Sequence, residues 1–498
     1  MTVLAFSLCM GPAWPQRNAL PSLGEGEGIS LAAERQLGDR IIRELYRDPD
    51  YLEDAVLDEY IQKLWTPLVD AAAARGELSP ELRERFAWRI LLGKDRSVNA
   101  FALPGGYLGV HLGLIAVVTS RDELASVLAH ELSHVTQRHI ARSMEAQGRM
   151  TPWVIGSMIL GALAASKSPQ ATQALVVGGQ AAAIQSQLSY SREMEREADR
   201  IGFGVLSEAG YDPRGFVTMF GKLQQAAGLN DSGNFPYLRS HPLTTERIAD
   251  MHSRLPLGVA ISSVPQDMEQ AMVSARARLL SQSQVDSLRA WTQLPQSLPP
   301  QATPAQQAGS LYAATLAHQM LRENDQARKQ WQALQTLTAS HTAAARLTRL
   351  LGADLQAARG EYAPLVQGMQ PSSMVSRWSR PELVAVAQAL AHLPGHPATA
   401  SVVQQLRQQV QNAPYDAQAW NLLGSLLAGQ GQKLAALRAE GEAQLVRMDL
   451  QGAQDRFRAA QDVARQGSLQ AGDHIEASIV DTRVRQIQEQ LREMQRER

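Results

Sequence analysis

Ser120-Arg-Asp-Glu-Leu-Ala-Ser-Val-Leu-Ala-His130-Glu131-Leu-Ser-His134-Val135 is the stretch whose reading decides the fold. Ser120 followed three residues later by Glu123 is the signature of a capping box, so a helix is expected to start here. Leu124, Val127, Leu128, Leu132 and Val135 recur at helical spacing and turn one stripe toward a core. On that helix His130 and His134 stand four residues apart on one face. Two imidazoles so placed can bind one zinc ion per chain, with Glu131 beside the open coordination position as a general base. Two surface histidines on an ordinary helix are the plainer alternative. Only 11 histidines occur in 498 residues, which makes a chance match in this context rare.

The chain before this helix carries a second signal. Val98-Asn-Ala-Phe-Ala-Leu-Pro-Gly-Gly-Tyr-Leu-Gly-Val-His111 has a Pro104-Gly105-Gly106 turn between two apolar runs, so it reads as a hairpin. A strand just ahead of a metal helix can form an edge along which an extended peptide lies. Asn99, Ala100, Phe101, Ala102 and Leu103 are therefore substrate-contact candidates, with an ordinary core hairpin as the alternative. Earlier still, helices are expected over 31–46 and 50–75, and a strand over 86–92.

Beyond the metal helix, Ser189-Tyr-Ser-Arg-Glu193-Met-Glu195-Arg-Glu197-Ala-Asp199 offers three glutamates as a third ligand. Asp199 lies one turn from Glu195 on the same face, where it can receive the free N–H of a ligating histidine. Ser240-His241-Pro242 places His241 in a loop. From there it can approach the metal as a displaceable ligand, stabilise an oxyanion, or serve as an ordinary loop residue.

Composition narrows the function further. The formal charge of −1, with both signs interspersed, lacks the basic stripe that nucleic-acid binding needs. Aromatic residues make up only 5%, and the abundance of Ala, Leu and Gln favours helix. Cys9 is the single cysteine, so neither disulfides nor a thiolate metal site are expected. Residues 1–20 resemble the apolar part of a secretory signal without a basic start, as a truncated signal would. The apolar runs 153–165 and 174–184 are too short to span a bilayer and read as a lid or a peripheral membrane contact, with buried helices as the alternative.

Asn99-Ala-Phe-Ala-Leu-Pro-Gly-Gly, His130-Glu-Leu-Ser-His134, Glu195-Arg-Glu-Ala-Asp199 and Ser240-His-Pro together resemble the gluzincin family of HtpX and the CAAX prenyl proteases. The resemblance covers roughly residues 85–250. It implies His130, His134 and Glu195 as zinc ligands and Glu131 as the base. The family's integral-membrane members carry long transmembrane helices that this sequence lacks. It is most similar to a periplasmic, repeat-bearing subgroup, in which the histidine matching His241 sits near the zinc and keeps the site closed. The partners implied are outer-membrane β-barrel proteins and the barrel assembly machinery.

After a Ser-, Gln- and Pro-rich stretch, helical in part (Met268 to Leu280) with a proline-rich end that reads as a linker, helix pairs follow. Trp420, Leu423 and Gly424 carry the tetratricopeptide signature, and such arrays present a concave peptide-binding surface. The expected organisation is a signal-like segment (1–20), a zinc metallopeptidase domain (21–255), a linker (256–302), a TPR-like array (303–470) and a charged, solvated terminal helix (471–498). The fold class is mainly α, with a small edge-strand sheet in the peptidase domain. The function expected is a periplasmic metalloendopeptidase acting on misfolded or stalled proteins. The alternative is a latent protease acting mainly as chaperone or scaffold.

Overall fold

The computed structural model describes residues 29–146, 190–228, 235–256, 267–371, 377–466 and 473–496. The signal-like start with Cys9, and the apolar runs 153–165 and 174–184, lie outside the described residues.

The element that organises the first half is α5 (Arg121–Thr136), buried along nearly its whole length. The capping box forms as expected: the Ser120 hydroxyl accepts from Glu123 N, and the Glu123 carboxylate accepts from the Ser120 and Thr119 amides. Lys222 Nζ donates to the same carboxylate at 2.7 Å, so the buried charge is paired.

A four-stranded sheet lies beside this helix. Its strands are β1 (Tyr51–Leu52), β2 (Arg89–Gly93), β3 (Ala100–Leu103) and β4 (Tyr107–His111), in the order β1-β2-β4-β3. β2 and β4 run parallel, while β3 and β4 form the expected antiparallel hairpin around Gly105 and Gly106, both at positive φ. Side chains alternate across the sheet with period two. Ala100, Ala102, Leu108 and Val110 join the large core with α5 and α2 (Ala55–Ala74). Phe101, Leu103, Leu91 and Tyr107 pack on the other face against Leu37, Ile41 and Ile42 of α1 (Leu31–Tyr46). α1 matches the expected span. The second expected helix starts later than residue 50, because Tyr51–Leu52 pairs with β2 and Asp54 caps the helix. The strand expected over 86–92 starts later too, since Trp88 turns at φ 50°.

α3 (Pro80–Arg85) and α4 (Leu112–Val117) complete the surroundings of the sheet. Past α5, Arg138 adopts φ 52° and breaks the helix before α6 (His139–Ala146). α7 (Arg192–Glu208) packs on α5 at close range. A Cβ at Gly202 would stand 3.1 Å from the Ala129 carbonyl, a tight contact that the missing side chain avoids. α8 (Arg214–Gly228), the short α9 (Tyr237–Ser240) and α10 (Thr245–Arg254) follow.

The helix expected at Met268 to Leu280 forms, and short helices continue where the proline-rich end reads as a linker. α11 (Met268–Ser281) buries Met272, Val273, Ala277 and Leu279 in the core, and Val285–Thr292 and Leu294–Ser297 are helical too. From Pro304 to Val446 helix follows helix, and neighbours in sequence pack on one another. Trp420, Leu423 and Gly424 are buried at one such contact. A Cβ at Gly424 would come within 3.2 Å of the Ala436 carbonyl on the next helix, so small size matters there. The terminal helix Asp473–Arg496 is not solvated all round: Val480, Val484 and Ile487 are buried against Phe457 and Ala460 of helix Leu450–Gln466. The molecule is mainly α with one small sheet, as expected.

Candidate metal centre

His130 and His134 leave the same face of α5, and their Nε2 atoms stand 3.0 Å apart. α7 brings Glu195 to them, with Oε2 3.5 Å from His130 Nε2 and Oε1 3.4 Å from His134 Nε2. From the loop after α9, His241 Nδ1 reaches His130 Nε2 at 3.3 Å and Glu195 Oε1 at 2.9 Å. One donor atom from each of these four side chains lies within 4.8 Å of the others, and all four residues are at most 2% exposed.

These spacings test whether a metal fits. Four ligands at the roughly 2.0–2.1 Å typical of zinc stand about 3.3 Å from one another at the corners of a tetrahedron. The observed separations scatter around that edge length. The charges agree as well. Burial opposes ionisation of Glu195, but the imidazoles of His241, His130 and His134 hold it well below the usual carboxylate range. Burial keeps His134 well below its ordinary value, hence neutral with a lone pair to give. Burial works against charge on His130 too, yet Asp199 and Glu195 prevail and push it up to about 10. The pocket therefore favours a positive charge among its carboxylates, and a zinc ion would satisfy it.

The surrounding contacts fix the four groups. His130 Nδ1 lies 2.9 Å from Asp199 Oδ1, off the N–H line, so this is an electrostatic contact rather than an aligned hydrogen bond. Asp199 is gripped by Arg247, which donates Nε–H and Nη2–H to its two oxygens at 2.6 and 2.8 Å. Arg247 Nη1 also lies 2.7 Å from Glu195 Oε2 and donates to the Pro242 carbonyl at 2.8 Å. His134 Nδ1 meets His139 Nδ1 at 2.8 Å, and His139 Nε2 meets Glu197 Oε2 at 3.1 Å. Tyr190 stacks on His134 with centroids 3.7 Å apart, and Tyr237 stacks on His241 at 4.5 Å.

Glu131 is fully buried, and burial raises its carboxyl above the ordinary value. Its Oε2 accepts from Ala102 N at 3.0 Å, while Oε1 lies 3.4 Å from His241 Nε2 and lacks a hydrogen-bond donor. Among the described residues β3 pairs only with β4 and forms an edge of the sheet. His111 N donates to Asn99 O at 3.0 Å, so the alternation of an antiparallel pair turns the Ala100 and Ala102 amides outward. Asn99 is buried with its Oδ1 lacking a partner. Phe101 and Leu103 face away, toward α1.

Each residue singled out by sequence thus has a definite place. His130, His134, Glu195, His241, Glu131 and Asp199 converge. Of the strand candidates, Ala102 touches the site directly, Ala100 and Asn99 lie along the same edge, and Phe101 and Leu103 do not face it. Sequence reasoning missed His139, Arg247, Tyr190 and Tyr237, and weighed Glu197 only as a ligand. Helical spacing places His139 off the His130–His134 face. Only the turn at Arg138 returns it.

A zinc-motif helix, a glutamate delivered by a second helix and a sheet edge beside them define a metallopeptidase. The sequence pattern of peptidase family M48 matches residues 59–255, and the chain belongs to that family. It is 30% identical over 435 residues to the beta-barrel assembly-enhancing protease of Yersinia pestis, covering 86% of this chain and 84% of the relative. It is 38% identical over 237 residues to a putative beta-barrel assembly-enhancing protease of Vibrio cholerae, 47% of either chain. A mitochondrial metalloendopeptidase, OMA1 of Arabidopsis thaliana, is 34% identical over 198 residues, 39% of this chain and 36% of that one. The match to the Vibrio relative spans about half its length. No helix among the described residues is long and apolar enough to cross a membrane.

Proposed function

We propose that this protein is a zinc-dependent endopeptidase of the bacterial periplasm that cleaves misfolded or stalled outer-membrane β-barrel proteins, and that it rests in a closed form. The observation that carries this reading is the convergence of His130, His134, Glu195 and His241 within 4.8 Å, with the Glu131 carboxylate in contact. His130, His134 and Glu195 hold the metal, and His241 closes its fourth side. Zinc, when bound, supplies the Lewis acidity that peptide hydrolysis needs at neutral pH. Glu131 takes a proton from the attacking water and passes it to the leaving amine. Its bond to Ala102 N aims the carboxylate across the edge of β3, where the outward groups of Ala100 and the Ala102 carbonyl can pair with an extended peptide and Asn99 can meet its backbone.

The closed form has its own support. His241 contacts both Glu131 and Glu195, and Tyr237 N donates to the Val98 carbonyl at 3.3 Å, so the loop carrying His241 is tied down just ahead of the edge strand. The relatives' names supply the barrel-assembly context, and the helical array offers a surface for clients or for the assembly machinery. A latent protease that also acts as chaperone or scaffold fits the same closure.

Cleavage of casein and of an unfolded barrel protein by wild type, Glu131→Gln and His241→Ala, with zinc measured in each sample, tests the reading. Glu131→Gln should retain zinc and be inert, and His241→Ala should cleave faster than wild type. If all three hold zinc and none cleaves either substrate, the endopeptidase reading fails and the scaffold reading takes its place.

A further inference from the structure

We propose that His139 and Glu197 are positioning residues for the metal centre, forming a hydrogen-bonded arm that fixes the tautomer and orientation of His134, while Asp199 backs His130 by charge. This rests on the metal reading above. The protonation pattern follows from three contacts. His134 Nε2 faces the cluster, 3.0 Å from His130 Nε2 and 3.4 Å from Glu195 Oε1, so it must offer a lone pair to bind a metal. Its proton then sits on Nδ1. The Nδ1–Nδ1 contact with His139 is 2.8 Å, and only one of two such nitrogens can donate, so His139 Nδ1 accepts. The His139 proton is thereby placed on Nε2, which donates to Glu197 Oε2 at 3.1 Å. Arg142 Nη1 donates to the same oxygen at 2.8 Å and holds the carboxylate in place.

The sequence spacing has a use in this arrangement. Glu195, Glu197 and Asp199 sit two apart on α7. Glu195 faces the cluster itself, Asp199 meets His130 directly, and Glu197, too far to reach His134, acts through His139. Asp199 is buried and locked by Arg247, whereas the Glu197 side chain is 29% exposed and Arg142 lies at the surface. The two ligating histidines are therefore backed unequally, one from the interior and one from the rim. The plainer alternative is that His139, fully buried, merely fills the core. That alternative does not account for an unbroken donor–acceptor chain ending on a carboxylate.

Residues that orient a ligating histidine change metal affinity by about 10–100-fold when lost. The test is zinc affinity by chelator competition, together with the melting temperature of the metal-free protein, for wild type, His139→Leu, His139→Asn and Glu197→Gln. His139→Leu removes the acceptor. His139→Asn keeps an acceptor oxygen for His134. Glu197→Gln alters only the rim. The expected result is about 10–100-fold weaker zinc binding for His139→Leu, most of it recovered in His139→Asn, and several-fold weaker binding for Glu197→Gln, with metal-free melting of Glu197→Gln unchanged. Zinc affinity within about twofold of wild type for His139→Leu overturns the proposal, as does equal loss in His139→Leu and His139→Asn alongside a matching drop in melting temperature. If His139→Leu fails to fold, an unchanged affinity in Glu197→Gln overturns it. Failure of the wild type to bind zinc defeats the metal reading itself. An unchanged His139→Leu in a zinc-binding, cleaving wild type defeats only this inference.

Discussion

Arg247 donates from all three of its nitrogens inside the protein, to both oxygens of Asp199 and to the Pro242 carbonyl, and it stands against Glu195. It therefore joins the helix that supplies the glutamate to the loop that carries His241. Replacing it with methionine leaves two buried carboxylates without their cation, and breaking a buried pair in this way costs about 3–5 kcal/mol. Urea unfolding of metal-free Arg247→Met should show a loss of that size, and a loss below about 1 kcal/mol would mean that His130 alone suffices as their partner. A second residue-scale prediction concerns Gly109, where a Cβ would stand 2.2 Å from Phe101 Cζ. Gly109→Ala should destabilise by about 1–3 kcal/mol, and shortening Phe101 to leucine in the same chain should restore part of it. Arg247 left no mark in the sequence, because its carboxylate partners lie 48 and 52 positions away and no local period connects them. His130 and His134 were legible for the opposite reason: their separation of four is set by the helix itself.

At the scale of elements, the start of α5 is specified locally. Ser120 and Glu123 satisfy each other's backbone amides, and these residues alone suffice to mark the first turn. Ser120→Ala should cost about 1 kcal/mol in urea unfolding, and it should also weaken zinc binding if the first turn frays as far as the metal face. An unchanged stability would show that packing alone starts the helix. The hairpin of β3 and β4 was equally legible from its Pro-Gly-Gly turn. The boundaries of α2 and β2 were less so. A two-residue strand at Tyr51–Leu52 exists only because β2 is there to pair with it. The terminal helix shows the same limit. Its charges dominate the composition, but Val480, Val484 and Ile487 recur along one stripe and find a partner in Phe457.

At the scale of the molecule, α11 and the helical array after it are fastened to α2 and the residues just before it by a row of arginines. Arg276 pairs with Asp54 at 2.7 Å, Arg346 with Glu59 at 2.6 Å, Arg380 with Asp58 at 3.4 Å and Arg447 with Glu53 at 2.6 Å. Arg346→Glu should expose the array to limited proteolysis, and Arg346→Glu combined with Glu59→Arg should reverse much of that exposure. Equal cleavage of the single and double variants would show that apolar packing alone holds the array. Arg380 also pairs with buried Asp416 at 2.7 Å. Burial works against the Asp416 charge, but Arg380, Ala419 N and Gln409 hold it below the usual carboxylate range. A depressed carboxyl contributes stability that is present above its unfolded value, about 3.9, and lost as pH falls through its folded value. The stability gap between wild type and Asp416→Asn should therefore be full near neutrality and close in acid. A gap that widens in acid would contradict the assignment.

Local order was determined by the amino-acid sequence on its own: the capped helix with His130, Glu131 and His134, the hairpin beside it, the acidic helix with Glu195 and Asp199, and the helical character of the second half. Each rests on residues within one or two turns of one another, where spacing alone dictates which side chains share a face. Only the tertiary structure decided how His241 closes on the cluster, that Glu197 meets His139 behind His134, that Arg247 binds helix to loop, and that the array seats on α2. Those pairings join residues far apart in the chain. They exist because packing buries charged and polar groups together, and a buried polar group must find its partner wherever the fold has placed one.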